Sequence, residues 1–332
     1  MEFKLVCDIR EDLRKNMISP KVNFSDHPPK ENIEEIKSMI EQCGYTCSIF
    51  GGIRELIAAN STQAVFDDCI FLNLTDGLDI DGGRIQAPIL LETLGVKYSG
   101  ASPFQAALID NKYYSELAVQ KMNICVPSSL LFYSDMEIDM NKVAALSLPV
   151  IVKPNKKGSS VGITQDNVCF DVEHAYKLIM KLLKEFNEVI VEEFIPGYEV
   201  TNFIIGNNGD YLINTPVLEE FHGNMIHTKE VMAIEDKAYR TRTFHLCDDI
   251  LGKAVTNQLK YTSIAIKETL RVNDILRIDY RVTSTGEIFF LEANTVPRIS
   301  SGNEAGFISQ CLAKPYKYFI NCLLQTVINR CT

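Results

Sequence analysis

The chain has 332 residues, 46% of them hydrophobic and 23% charged, the profile of a soluble globular protein of two or three packed domains. A net charge of −10 argues against non-specific nucleic-acid binding, which needs a basic surface, but leaves room for a nucleotide site built from a few lysines and backbone amides. No apolar run approaches the roughly 18 residues of a membrane helix, and residues 1–6 read as a strand rather than a signal peptide, so a cytoplasmic protein without a membrane partner is expected.

Residues 4–7 form the first predicted strand. Ile33, Ile36, Ile40 and Cys43 then make a helical stripe that stops at Gly44. A buried strand is expected over 69–74 and a helix over 85–94, closed by Gly95. This alternation is the βαβ signature of a parallel sheet covered by helices. Ser102-Pro103 supplies an N-cap and a first-turn proline for the next helix. From about Lys112 a helix runs to Met122, and strands follow over 128–133 and 148–153. Ala175, Leu178, Ile179, Leu182 and Leu183 stripe another helix, and a strand covers 189–194. β-Hairpins dominate from Tyr198, one of them turning at Asn207-Asn208-Gly209. Residues 219–242 are polar, lack periodicity and read as a long loop. A helix near 248–270 leads into a last hairpin.

The ten cysteines sit mostly in apolar runs (Cys7, Cys69, Cys169, Cys311, Cys322), as expected of reduced, buried thiols. Cys43 and Cys47 are the closest pair, and their spacing matches neither a redox nor a paired zinc motif. The five histidines form no ligand spacing.

Three segments carry chemistry. In the last hairpin, residues 274–282 and 287–294 are strands around Thr285-Gly286. A two-residue turn there sets Asp279 opposite Glu292 and Arg277 opposite Asn294. Two adjacent carboxylates must hold a proton or share a cation, and an all-oxygen donor set suits a hard ion such as magnesium. A register slip, or an edge hairpin with solvated charges, is the competing reading. Upstream, Lys153 ends a strand and leads into Pro154-Asn155-Lys156-Lys157-Gly158-Ser159-Ser160-Val161-Gly162, a loop whose amides and hydroxyls suit a polyphosphate. The alternative is a basic surface turn. Finally, Glu192-Glu193-Phe194-Ile195-Pro196-Gly197-Tyr198-Glu199 runs from a strand into a Pro-Gly turn. It can offer Glu192 to an exocyclic amine and Glu199 to a ribose, or it is simply a solvated acidic turn.

In order and spacing, from about Asp68 to Glu304, these segments resemble the ATP-grasp enzymes, and most closely their D-alanine–D-alanine ligase branch. Asp110-Asn111-Lys112 and Leu94-Gly95-Val96-Lys97-Tyr98-Ser99-Gly100 add to the likeness. The resemblance implies an α/β protein of ATP-grasp fold: an N-terminal parallel α/β domain (1–110), a central ATP-grasp subdomain (111–195) and a C-terminal subdomain with the metal and catalytic site (196–332), the last two clasping ATP. It implies Lys112 and Lys153 on the phosphates, with Ser159, Ser160 and the loop amides closing over them. Glu192, the backbone of Glu193 and Ile195, and Glu199 would hold adenosine. Asp279, Glu292 and Asn294 would bind two magnesium ions, for which manganese can substitute. Ser160 and Arg277 would be catalytic, with Arg277 on the tetrahedral oxyanion, and Lys229 would reach over the phosphates. The implied reaction joins a small-molecule carboxylate to an amine through an acyl phosphate. The resemblance also suggests a homodimer.

Departures from the branch concern the substrates. The first strand continues Cys7-Asp8-Ile9-Arg10-Glu11-Asp12, without the Gly-Gly-x-Ser element that grips the first amino acid. Asn73-Leu74-Thr75-Asp76-Gly77 replaces a histidine-containing loop. Arg298 stands where the branch has glycine, and Asn303 where it has a serine for the second substrate. The reading is therefore a specialised carboxylate–amine ligase for small amino-acid-like substrates. A D-alanine–D-alanine ligase of cell-wall synthesis with a divergent pocket, or an inactive nucleotide-binding protein, are the alternatives.

Overall fold

The computed structural model describes residues 1–15, 27–78, 82–134, 137–158, 160–221, 223–231 and 242–332. Three sheets organise these residues. The first is parallel, with β1 (Glu2–Val6), β2 (Thr46–Gly51), β3 (Cys69–Asn73) and β4 (Lys97–Tyr98) in the order β2-β1-β3-β4. Helices α1 (Arg10–Lys15), α2 (Lys30–Gln42), α3 (Ile53–Ser61) and α4 (Gly83–Leu94) connect the strands. β3 is buried at every position, so its sequence is one apolar run rather than an alternation. α2 turns Ile33, Ile36 and Ile40 inward, the predicted stripe. Ligands of such sheets gather beyond the carboxyl ends of the strands. Here that edge carries Asp8 and Asp76. Asp8 is buried, accepts a hydrogen bond from Thr75 Oγ1 at 2.5 Å and another from the Ile53 amide at 3.3 Å, and so ties the start of α3 to the loop after β3.

Two helices, α5 (Pro103–Asp110) and α6 (Lys112–Gln120), cross to the rest of the molecule. The second sheet is antiparallel: β5 (Ser129–Tyr133), β6 (Val150–Pro154), β7 (Val168–Cys169) and β8 (Glu188–Glu193), ordered β5-β8-β6-β7. Val150, Val152, Val189 and Val191 bury one face against α7 (Met140–Ala144) and α8 (Val172–Leu182). The opposite face carries Ser129, Lys153 and Glu192 and is covered by α6.

The third sheet begins with β9 (Gly197–Asn207) and β10 (Asp210–Glu220), joined at Asn208 and Gly209 with φ of 52° and 86°, the left-handed pair that a tight hairpin requires. Strands β11 (Ile226–His227), β12 (Thr243–Leu246), β13 (Ile275–Val282) and β14 (Ile288–Asn294) complete it in the order β12-β10-β9-β13-β14, with β11 on β9. β10 continues through Glu220, so Glu219 sits on a strand and not in the predicted loop; residues 222 and 232–241 of that loop lie outside the described residues. The single helix predicted near 248–270 is two, α9 (Cys247–Ile250) and α10 (Gly252–Thr269), because Gly252 adopts φ of 78°. The sequence reading did not place β2, α3 or the last two helices, α11 (Glu304–Cys311) and α12 (Tyr316–Cys331). α12 welds the first sheet to the third: Phe319 and Leu323 share one core with Phe3 and Leu5 on one side and Phe203 and Ile205 on the other.

All ten cysteines are free thiols, but only six are buried; Cys311 is half-buried and Cys125 exposed, against the expectation of a buried set. Among the described residues no helix is long and apolar enough to cross a membrane.

Candidate active site

β13 and β14 meet in the predicted pairs, Arg277 with Asn294 and Asp279 with Glu292, but not through the predicted turn. The turn has three residues, Ser284-Thr285-Gly286, with Thr283 N donating to Glu287 O at 2.9 Å and Gly286 at φ of 87°. A bulge then restores the register, because Tyr280 pairs with Phe290 and leaves Leu291 as an extra residue. The two one-residue offsets cancel. One consequence is that Leu291 and Glu292, consecutive in sequence, both line the cleft.

The two opposed carboxylates of this hairpin, Asp279 and Glu292, are each held by a cation. Arg277 grips Asp279 with two bonds, Nε to Oδ1 at 3.1 Å and Nη2 to Oδ2 at 2.7 Å, and Thr201 Oγ1 donates to Asp279 at 2.6 Å. Lys112 Nζ lies 3.2 Å from Glu292 and donates to the Lys157 carbonyl at 2.6 Å. Burial opposes ionisation of Asp279; Arg277 favours it, facing Glu292 resists it, and the net shift of its pKa is upward. Asn294 turns its Oδ1 to the Val296 amide at 2.9 Å.

Across the cleft, Lys153 Nζ pairs with Glu192 at 2.8 Å. Burial disfavours the Lys153 charge, but Glu192, Glu116 and Glu292 outweigh it and raise its pKa. Ser160 lies in the left-handed region at φ of 59°, a strained conformation for a serine that points to a loop shaped for a task. Ser159 falls outside the described residues. Lys112, Lys153, Lys157, Gly158, Ser160, Glu199, Arg277, Asp279 and Glu292 line one pocket between the second and third sheets. Glu192 lies behind Lys153, 1% exposed, and among the described residues neither it nor Glu193 nor Ile195 lines that pocket. Glu193 faces outward, accepting from the Ser147 amide at 2.8 Å. Lys229 is exposed and does not line that pocket.

This is a cleft with lysines and loop amides on one wall and opposed carboxylates on the other. A family model described as D-ala D-ala ligase C-terminus matches residues 116–307. The chain belongs to the D-alanine–D-alanine ligase family. A D-alanine–D-alanine ligase of Aquifex aeolicus is 32% identical over 222 residues, covering 65% of this chain and 68% of that one. Among solved structures, a Bacillus anthracis D-alanine–D-alanine ligase complexed with ATP covers 99% of this chain and 98% of its own, at TM-score 0.73 and 17% identity. VanG, a D-Ala:D-Ser ligase from Enterococcus faecalis, covers 98% of this chain and 99% of its own, at TM-score 0.73 and 18% identity. The fold is ATP-grasp, and the protein is an ATP-dependent carboxylate–amine ligase that forms C–N bonds.

In this family member a second pocket adjoins the first. It is lined by Asp76, Arg84 and Asp110 from the side of the first sheet, by Asn294 at the end of β14, and by Arg298, Asn303 and Glu304 after it. Lys112, Gly158, Arg242, Arg277, Glu292 and Glu304 line both pockets. Several of these residues escaped the sequence reading. Arg242 ties Glu219 (2.5 Å) to Glu304 (3.0 Å), linking β10 to the start of α11. Arg84 ties Asp76 (2.8 Å) to Asp110 (3.5 Å). Arg281 holds Glu199 at 3.1 Å. Alternation along β13 puts Arg281 on the face of Arg277 and Asp279, and only its pairing with Glu199 was unforeseen. Arg242 and Arg84 gave no local signal, because their partners are 23 and 8 or more residues away.

Proposed function

We propose that this enzyme activates the carboxylate of one small amino-acid-like substrate with ATP and joins it to the amine of a second, releasing ADP and phosphate. The observation that carries the reading is the common wall. A nucleotide in the first pocket and a carboxylate in the second would face each other across Arg277, Glu292 and Lys112. Lys112 and Lys153, with Ser159, Ser160 and the loop amides, are assigned to the phosphates; Glu199, which lines the same pocket, is assigned to adenosine, while Glu192 and the backbone of Glu193 and Ile195 keep that role on the family resemblance alone. Lys229 retains only a sequence argument for reaching the phosphates. Arg277, on a strand and at the wall shared by the two pockets, is assigned to the oxyanion formed when the amine attacks the acyl phosphate.

The donor set Asp279, Glu292 and Asn294 fits a hard divalent cation: all its donors are oxygen, and its two carboxylates stand opposed, each now held by a lysine or arginine. Magnesium held there would neutralise charge on the transferring phosphoryl group. Arg277 and Lys112 would then be free to turn toward substrate and phosphate.

Arg298 and Asn303 are proposed to set the identity of the substrates, and synthesis of D-alanyl-D-alanine is proposed not to be the physiological reaction. The Aquifex relative favours the other reading, a D-alanine–D-alanine ligase. The three-domain division at 110 and 195, cytoplasmic location and a homodimer remain parts of the same proposal. An ADP-release screen over amino-acid pairs, with product masses measured, tests the function. The expected result is a dominant pair other than two D-alanines, with product mass equal to the two substrates less water. Nucleotide binding without ADP release for any pair would point instead to a sensor.

A further inference from the structure

Behind Lys153 lies a second pair of carboxyl groups that the proposed chemistry does not use. α6 presents Lys112 and, one turn on, Glu116 along the same buried face. Lys112 reaches Glu292, while Glu116, 1% exposed, reaches the polar face of the second sheet. Ser129 on β5 and Glu192 on β8 are directly paired, and Lys153 projects from neighbouring β6. Those three side chains are what faces Glu116 from the strands beneath it, with Lys112 on its own helix.

The oxygens can be counted. Ser129 Oγ donates to Glu116 Oε2 at 2.7 Å, and Lys153 Nζ lies 2.8 Å from Glu192 Oε2. The remaining oxygens, Glu116 Oε1 and Glu192 Oε1, are both buried and have no donor among the described residues. Ser129, which bonds Glu116, is the cross-strand partner of Glu192, so the two carboxyls sit over the same position of the β5–β8 ladder. Two buried carboxylates beside one lysine leave a net negative charge in a dry place, which is costly. A single added proton removes that charge and leaves each of the four oxygens in a hydrogen bond, one as donor and three as acceptors.

We infer that Glu116 and Glu192 share one proton, and that this acid–carboxylate pair makes Glu116 a positioning residue for the nucleotide site, holding Glu192 and Lys153 in place. The inference rests on the nucleotide reading of Lys153 and Glu192. With the proton present, Glu192 is fixed from behind and the Lys153 charge is compensated once, leaving it available to a phosphate. When the proton is lost, a second negative charge appears next to Lys153, competes with the polyphosphate for it and repels Glu192. Burial, then the charge of Glu192, push the Glu116 carboxyl up to about 9, so the proton is held at neutral pH and released in mildly alkaline solution.

The test is ADP affinity by calorimetry from about pH 7 to about pH 10, in the full chain and in E116Q and E116A. The charge of ADP itself is constant over most of that range. Wild-type affinity is expected to fall by roughly tenfold, the effect of about one pKa unit of charge interaction. E116Q supplies a neutral N–H donor in place of the proton, so its affinity is expected to match neutral-pH wild type and stay flat. E116A is expected to bind weakly throughout. An E116Q profile falling like wild type, or an E116A indistinguishable from wild type, would overturn the inference. Infrared difference spectra of wild type minus E116Q at neutral pH read the proton without nucleotide: the carbonyl band of an un-ionised carboxylic acid is expected, and its absence also overturns the inference. If that band is present while wild type fails to bind ADP, the shared proton stands, while the nucleotide reading and the positioning role built on it both fall.

Discussion

The two halves of the cleft are built differently. In the half assigned to driving the reaction, most side chains project from strands: Lys153 from β6, Glu192 from β8, Thr201 from β9, Arg277 and Asp279 from β13, Glu292 from β14; Lys112 at the start of α6 and Ser160 in the loop after β6 are the exceptions. In the half assigned to choosing substrates, the lining comes from loops and helix ends: Asp76 after β3, Arg84 at the start of α4, Asp110 at the end of α5, Arg298 and Asn303 between β14 and α11. Strand positions are locked by ladder hydrogen bonds and by packing on both sides, so their geometry tolerates little change. Loops carry fewer such constraints and can be rewritten without disturbing the core. One chain can thus keep family chemistry while its pocket diverges.

Changes on the strand side should abolish turnover, whatever the substrate. Asp279→Asn, similar in shape but without the charge, is predicted to cut kcat by about a thousandfold, on the order of 4 kcal/mol of barrier. Unchanged ADP release in this variant, measured with the best substrate pair, would separate the hairpin from the chemistry. Next in size is Arg277→Lys, which cannot make the two-pronged bond to Asp279. A loss of about a hundredfold in kcat is expected, with ADP affinity altered less than about threefold, near the effect of one lost oxyanion donor. Lys153→Ala should act on binding instead, weakening ADP by roughly ten- to a hundredfold, as expected for a lost charge-assisted bond. On the loop side the sign reverses. Arg298→Gly and Asn303→Ser should redistribute kcat/KM among substrate pairs by about tenfold while the KM for ATP stays within about twofold. A matched change in ATP KM would mean that the halves are not separable.

The smallest effect is on stability. The Glu116 carboxyl has an ordinary value of 4.5 and a folded value of about 9. The folded state therefore holds a proton that the unfolded chain gives up above 4.5. The stability linked to this proton is full below about pH 4.5 and is lost as pH rises toward 9. E116Q has no such dependence. Relative to wild type, its melting temperature should gain on going from about pH 5 to about pH 8, in the direction set by the raised carboxyl. A difference that does not vary with pH would argue against the raised carboxyl.

Much of the strand side was legible in the sequence because strands alternate and local patterns persist. Arg277, Asp279, Glu292 and Asn294 could be paired from spacing alone, and their observed pairs are the predicted ones. The route differed: neither the three-residue turn nor the bulge at Leu291 has a signature that distinguishes it from a two-residue turn with no bulge. The ion pair of Lys153 with Glu192 spans 39 positions and was not foreseen: the family resemblance put both residues in one site but gave them separate roles. The clusters that stayed hidden, Arg242 with Glu219 and Glu304, Arg84 with Asp76 and Asp110, and Glu116 with Glu192, join different layers of the fold. Nothing in the neighbourhood of any one member announces the others. Glu116 in particular reads as an ordinary polar position of a helix, and only the cover of α6 over the second sheet buries it.

The most direct test of the division between drive and selection is the kcat/KM of the wild-type enzyme for a pair of D-alanines, measured beside the best pair from the ADP-release screen at saturating ATP and magnesium. A rewritten pocket predicts that the D-alanine pair falls at least about tenfold lower, or 1.4 kcal/mol in transition-state binding. D-alanine with D-alanine at the top of the ranking would contradict it.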